Sequence, residues 1–290
     1  MGFPIDQRTA IDIDRRVKRL LKETGLNEPP VDLTAVIEHL SIDHSYYDLT
    51  DPSLLREFVH KLKIGSAKAT AVLKKVSLKG LWLPDSQRII VDQAIPKPKL
   101  KWVNAHEISH RLIPTHNSFF LGDTAATLDP DYHEMLEAEA NYGASSLIFM
   151  ADHFTSDALD CKPIFQSLEL LSKRYGNSLA TTLRRFVQFS YDVPMLGVIS
   201  TPSWLTVTEP GNNRCRYFIT SSTFEQQFSG IRPEEVLKII DSYVSPRSGG
   251  VVGESSIPLK DDNDRLQTFR WQSFFNKYDL LTLAVCKRSN

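Results

Sequence analysis

Ile13, Val17, Leu20 and Leu21 project to one side of a helix, while Arg15, Arg16, Lys18 and Arg19 project to the other. The pattern predicts an amphipathic helix over 11–23, ending before Gly25, a residue suited to a left-handed cap. Asp32 is placed to cap a short helix over 33–40, and 41–47 alternates as a strand. Residues 52–76 set Lys61, Lys63, Lys68, Lys74 and Lys75 among aliphatic positions and predict an amphipathic surface helix. Two short apolar runs, 78–83 and 88–91, flank Pro84-Asp85-Ser86 and predict a hairpin. Trp102, Val103, Ile108 and Leu112 then mark a helix that Pro114 stops. A loop over 116–131 and a strong helix over 133–151 follow.

The second half changes character. Residues 155–188 predict two helices broken at Tyr175-Gly176-Asn177, with a helix-turn-helix rhythm that is also common as plain packing. Beyond residue 200, strands are expected at 204–208, 216–220, 250–253 and 280–285, with a helix over 233–243 opened by Pro233. The chain therefore reads as α+β in three parts: a domain over 1–157, a helical linker over 158–200 and a small α+β domain over 201–290.

Composition narrows the function classes. With 41% apolar and 24% charged residues and a net charge of −1, the chain has the balance of a soluble globular protein and no overall charge favouring nucleic acid. No apolar run approaches the roughly twenty residues that span a bilayer, and the N-terminus lacks the apolar core of a signal peptide. Cys161, Cys215 and Cys286 are odd in number and far apart, which argues against a disulfide framework. A cytoplasmic location is the expectation. Buried, inert thiols are the simplest reading of the cysteines, ahead of a thiolate switch at a metal.

The chemistry concentrates in His106-Glu107-Ile108-Ser109-His110. Two histidines four apart on a helix share a face and can reach one metal ion, with Glu107 beside it as a base. A catalytic zinc takes three protein ligands, and the third is open on spacing alone. His116 has the metzincin spacing, but that pattern needs glycine where Ile113 stands, and a β-branched residue resists positive φ. The alternative is a carboxylate from the cluster Glu134, Glu137 and Glu139 on the next helix. Glu134 and Glu137 share a face there with Asn141, which is placed to support the metal from outside its ligand shell. Tyr132, His133, Arg111, Tyr142 and His153 are candidates for the group that stabilises the transition state.

The segments Val103-Asn104-Ala105-His106-Glu107-Ile108-Ser109-His110 and Glu137-Ala138-Glu139-Ala140-Asn141-Tyr142-Gly143-Ala144 together resemble the ImmA/IrrE family of bacterial metallopeptidases. The likeness spans roughly residues 10–152. It implies a zincin-like, gluzincin-type domain in which His106, His110 and Glu137 hold Zn²⁺ and Glu107 is the base. It also implies a C-terminal sensor-like module, GAF-like in some members. Ser109 stands where the family often has glycine, Pro114 where it has histidine, and the family's phenylalanine after Ala-Asn is replaced near Gly143.

From this resemblance the expected activity is a zinc endopeptidase that cleaves an XRE-type helix-turn-helix repressor on a stress or DNA-damage signal. Two rival functions remain at this level: a repressor-binding regulator without proteolysis, and a nucleic-acid-responsive regulator acting through the basic helix and residues 165–188. An exposed strand edge ahead of the motif helix would suit an extended peptide laid across the metal.

Overall fold

A computed structural model describes residues 5–47, 80–119, 130–189, 192–205 and 214–287. The lysine-rich segment 52–76 lies outside the described residues, as do 206–208 of the strand expected at 204–208. The chain is α+β, with ten α-helices and two sheets among the described residues. It divides into two compact units, 1–151 and 152–290. No described helix is long and apolar enough to cross a membrane.

In the first unit, α1 (Gln7–Glu23) starts one turn earlier than the apolar pattern suggests, because Asp6 caps it by accepting from the backbone N–H of Arg8 and Thr9. Its buried stripe is the expected Ile13, Val17, Leu20 and Leu21. Asp32 caps α2 (Leu33–His39) in the same way. A three-stranded sheet follows, ordered β1-β3-β2, from β1 (Asp43–Tyr47), β2 (Gly80–Leu83) and β3 (Arg88–Asp92). β2 and β3 form the expected hairpin, joined by a 3-10 turn over Pro84–Ser86. β1 runs parallel to the central β3.

α3 (Lys97–Leu112) packs against β2 and β3, the short α4 (Pro114–Phe119) follows it, and α5 (Pro130–Ile148) packs against α3 and α1. Ile113 ends α3 in an extended conformation, as the residue before a proline prefers. α4 falls where a loop was expected. The α3–α5 crossing is tight because Ser109 and Gly143 meet there. A Cβ on Gly143 would lie 2.8 Å from the Ser109 Oγ and 2.9 Å from its Cβ. The absence of a side chain at Gly143 leaves the room that Ser109 occupies. Asp14 ties α1 to the same helix, accepting from Tyr142 and Ser146 at 2.8 and 2.6 Å.

The second unit opens with α6 (Asp152–Leu159), α7 (Phe165–Tyr175) and α8 (Leu179–Phe189). Gly176 caps α7 in the left-handed conformation, the break read from the sequence. A five-stranded antiparallel sheet follows: β4 (Met195–Ser200), β5 (Cys215–Thr220), β6 (Gly250–Lys260), β7 (Leu266–Phe275) and β8 (Leu280–Cys286), ordered β5-β4-β8-β7-β6. β4 belongs to the segment 158–200 read as a linker, and it lies inside the sheet between β5 and β8. Ser203–Leu205 is a 3-10 turn, so the strand expected to begin at Trp204 does not form there. α9 (Ser222–Gln227) and α10 (Pro233–Tyr243) help close a core of Phe224, Phe228, Val236, Ile240, Phe269 and Trp271. Each large apolar side chain fully buried in this way contributes roughly 1.5–3 kcal/mol.

Candidate metal centre

The site forms where α3 and α5 cross. His106 and His110, one turn apart on α3, present their Nε2 atoms 3.2 Å from each other. Glu137 on α5 closes a triangle: its carboxylate oxygens lie 3.3 Å from His106 Nε2 and 3.6 Å from His110 Nε2. These three residues are the group among the described residues whose ligand atoms converge as a metal site requires. With one ligand atom taken from each residue, the three atoms lie within 4.8 Å of one another, close enough to share one metal ion. Two imidazole lone pairs and a carboxylate cannot all face one point without a proton or a cation between them. Two histidines and a carboxylate form a donor set able to hold a metal ion.

Exposure sets the direction of access. The His110 side chain is 7% exposed, whereas that of Glu137 is 41% exposed, so the triangle opens toward solvent on the Glu137 side. Glu134, the alternative that spacing left open, is exposed and outside the group.

Glu107 is 5% exposed and points to the sheet side of α3. Burial pushes its carboxyl up to about 7; the Glu137 charge adds to that rise, while His106 and the backbone N–H of Trp82 oppose it. A carboxylate poised near neutrality is a stronger proton acceptor than an ordinary one. For His106, burial disfavours the charged ring, but the Glu137 hydrogen bond and the charges of Glu107 and Glu137 outweigh it and hold the pKa above its ordinary value. A hydrogen bond with the Asn141 side chain acts in the same direction.

A raised His106 pKa fixes the sign of a pH effect. Proton and cation compete for the same imidazole lone pair, and metal binding must release the proton. Zinc affinity is expected to be flat at high pH and to fall by up to about tenfold per pH unit once pH drops below that raised pKa. Competition titrations from about pH 8 to about pH 5.5 measure the slope, and a constant affinity across that range would contradict the ligand role of His106.

Other sequence candidates divide cleanly. His116 does not join the ligands: its Nδ1 faces the Nδ1 of His110 at 2.9 Å, and its Nε2 faces Glu139 at 2.9 Å. Tyr142 is committed to Asp14. Arg111 lies over the Trp82 ring, 5.9 Å from its centroid. His153 belongs to the second unit. Tyr132 and His133 are helical, and their side chains lie outside the described residues. Gly80 was not singled out from the sequence. A Cβ there would lie 2.7 Å from Glu107 Oε1 and 2.8 Å from Val103 Cγ1, so only glycine lets β2 approach α3 this closely. A lone glycine inside a strand is the signal that marks it.

In the second unit, the basic pair on α8 packs locally: Arg184 lies over Tyr217 and Arg185 over Phe189, at 4.7 and 4.2 Å. Cys161, Cys215 and Cys286 are free and partly buried. Burial pushes the Cys215 and Cys286 thiols up, away from the reactive thiolate.

No protein-family model matches the sequence, and no curated protein matches it. Among solved structures, the chain is similar to a Mycobacterium tuberculosis transcriptional regulator, with 12% identity and a TM-score of 0.55 over 96% of this chain and 76% of that one. At that identity the likeness concerns the fold.

Proposed function

We propose that this chain is a zinc-dependent endopeptidase of the ImmA/IrrE type that cuts a helix-turn-helix transcriptional repressor. The observation that carries the reading is the convergence of His106 and His110 Nε2, 3.2 Å apart, on the Glu137 carboxylate, whose two oxygens lie 3.3 Å and 3.6 Å from them, with buried Glu107 alongside. Zinc held there would supply Lewis acidity toward a peptide carbonyl and a water molecule. Glu107 accepts the water proton on its carboxylate and returns it to the leaving amine. The Trp82 N–H, donated to that carboxylate, keeps it aimed while it is charged. Among the described residues, β2 is an edge strand of its sheet and packs beside α3.

Three lines support the regulatory setting. The paired motifs resemble a family that acts on repressors. The fold is similar to that of a Mycobacterium tuberculosis transcriptional regulator. The second unit is a compact body of its own built on a five-stranded antiparallel sheet, as an appended sensor module would be.

The test is co-expression with helix-turn-helix repressors, wild type beside Glu107→Gln, scored by intact mass. A repressor cut by the wild type and left whole by Glu107→Gln identifies substrate and base together. A regulatory effect that persists in Glu107→Gln, with the repressor intact, would instead mean that the chain works by capturing its partner.

A further inference from the structure

We infer that His116 and Glu139 form a buried positioning relay for His110, an inference that rests on the reading of His110 as a metal ligand. The His116 side chain is 0% exposed and that of Glu139 is 10% exposed. Glu139 comes from α5, two residues past Glu137. The same helix thus presents one carboxylate at the Nε2 side of His110 and another, through His116, at its Nδ1 side.

The proton bookkeeping along this chain has one consistent solution. If the lone pair of His110 Nε2 faces a cation, the neutral ring carries its proton on Nδ1 and donates it to His116 Nδ1. His116 must then hold its own proton on Nε2 and donate it to the Glu139 carboxylate. Each donor meets one acceptor, and the negative end of the chain makes the His110 lone pair a better ligand. His106 has no such arrangement, since its Nδ1 has no hydrogen-bond partner among the described residues. The relay serves one of the two histidines.

Stability alone does not explain the pair. Taking an imidazole and a carboxylate out of water is costly, and apolar residues of similar size commonly replace such pairs without loss. The local chain path is built for it: Ile113 breaks α3 in an extended conformation, and α4 turns back so that His116 meets the ring six residues earlier.

The experiment measures three quantities on the full chain: Zn²⁺ affinity against a chromophoric chelator, the visible spectrum of the Co²⁺-loaded protein, and the melting temperature of the metal-free protein. His116→Leu/Glu139→Leu is expected to keep or raise the metal-free melting temperature, weaken zinc about 10–100-fold and shift the cobalt bands. His116→Asn, which returns an acceptor to His110 Nδ1, is expected to recover part of the affinity lost in His116→Leu. Leu147→Ala, a buried apolar truncation on the same helix, should lower the melting temperature and leave zinc affinity unchanged. Wild-type affinity and an unaltered cobalt spectrum in the double leucine variant would overturn the relay, as would an asparagine variant no better than His116→Leu. Absence of zinc binding by the wild type would instead overturn the metal-site reading beneath it.

Discussion

Glu137→Ala is expected to weaken zinc by more than the roughly 10–100-fold that loss of a supporting partner costs, because under the proposed function it removes a ligand outright. Glu137 is the one carboxylate in the converging group among the described residues, and it comes from a different helix than the two histidines. Two imidazoles on one turn of α3 still form a site, but it is open and weak. Thermal melts read the loss directly. A metal that binds only the folded state stabilises it by about 4 kcal/mol at a thousand times its dissociation constant. The wild type should therefore melt higher with zinc, and Glu137→Ala should show almost no shift at the same concentration. Glu134→Ala, three residues earlier and outside the group, should behave as wild type. A full zinc shift in Glu137→Ala would mean that another group supplies the third ligand.

The parts of this site that a sequence displays are those fixed by helical periodicity. His106 and His110 share a face whatever the surroundings, and the apolar stripe of α1 reads directly from its spacing. The choice between Glu137 and Glu134 does not read that way, because both lie on one face of α5 and only the crossing with α3 selects between them. That crossing depends on Ser109 and Gly143, a contact between residues 34 positions apart that no local pattern reveals. Distance along the chain alone makes His116 a candidate ligand. Its place is decided by the turn at Ile113, which sends it to the rear of His110. In the second unit, β4 is buried along its whole length, so it lacks the alternation that marks a half-exposed strand. β7 does alternate, with Phe269, Trp271, Ser273 and Phe275 inward, but the inward serine interrupts its apolar signature.

Gly80→Val is expected to abolish peptide cleavage while leaving zinc in place, separating the base from the metal. A Cβ at position 80 would lie 2.7 Å from Glu107 Oε1 and 2.9 Å from Glu107 Cγ, too close for either to stay where it is. The carboxylate end can swing away, whereas Val103 Cγ1 at 2.8 Å belongs to a packed helix with less freedom. The adjustment therefore falls on Glu107, which is drawn off the Trp82 N–H that holds it. A positioned acid–base group contributes about 10²–10⁴-fold, and a displacement near 1 Å is enough to forfeit much of it. The ligand atoms of His106, His110 and Glu137 lie on the α5 side of the helix and do not approach Gly80 among its nearest neighbours. Zinc affinity measured alongside cleavage of an identified repressor makes the comparison. Gly80→Ala should show a smaller loss in the same direction. If both variants lose zinc together with cleavage, β2 supports the metal helix as a whole, and the specific link from Gly80 to Glu107 fails.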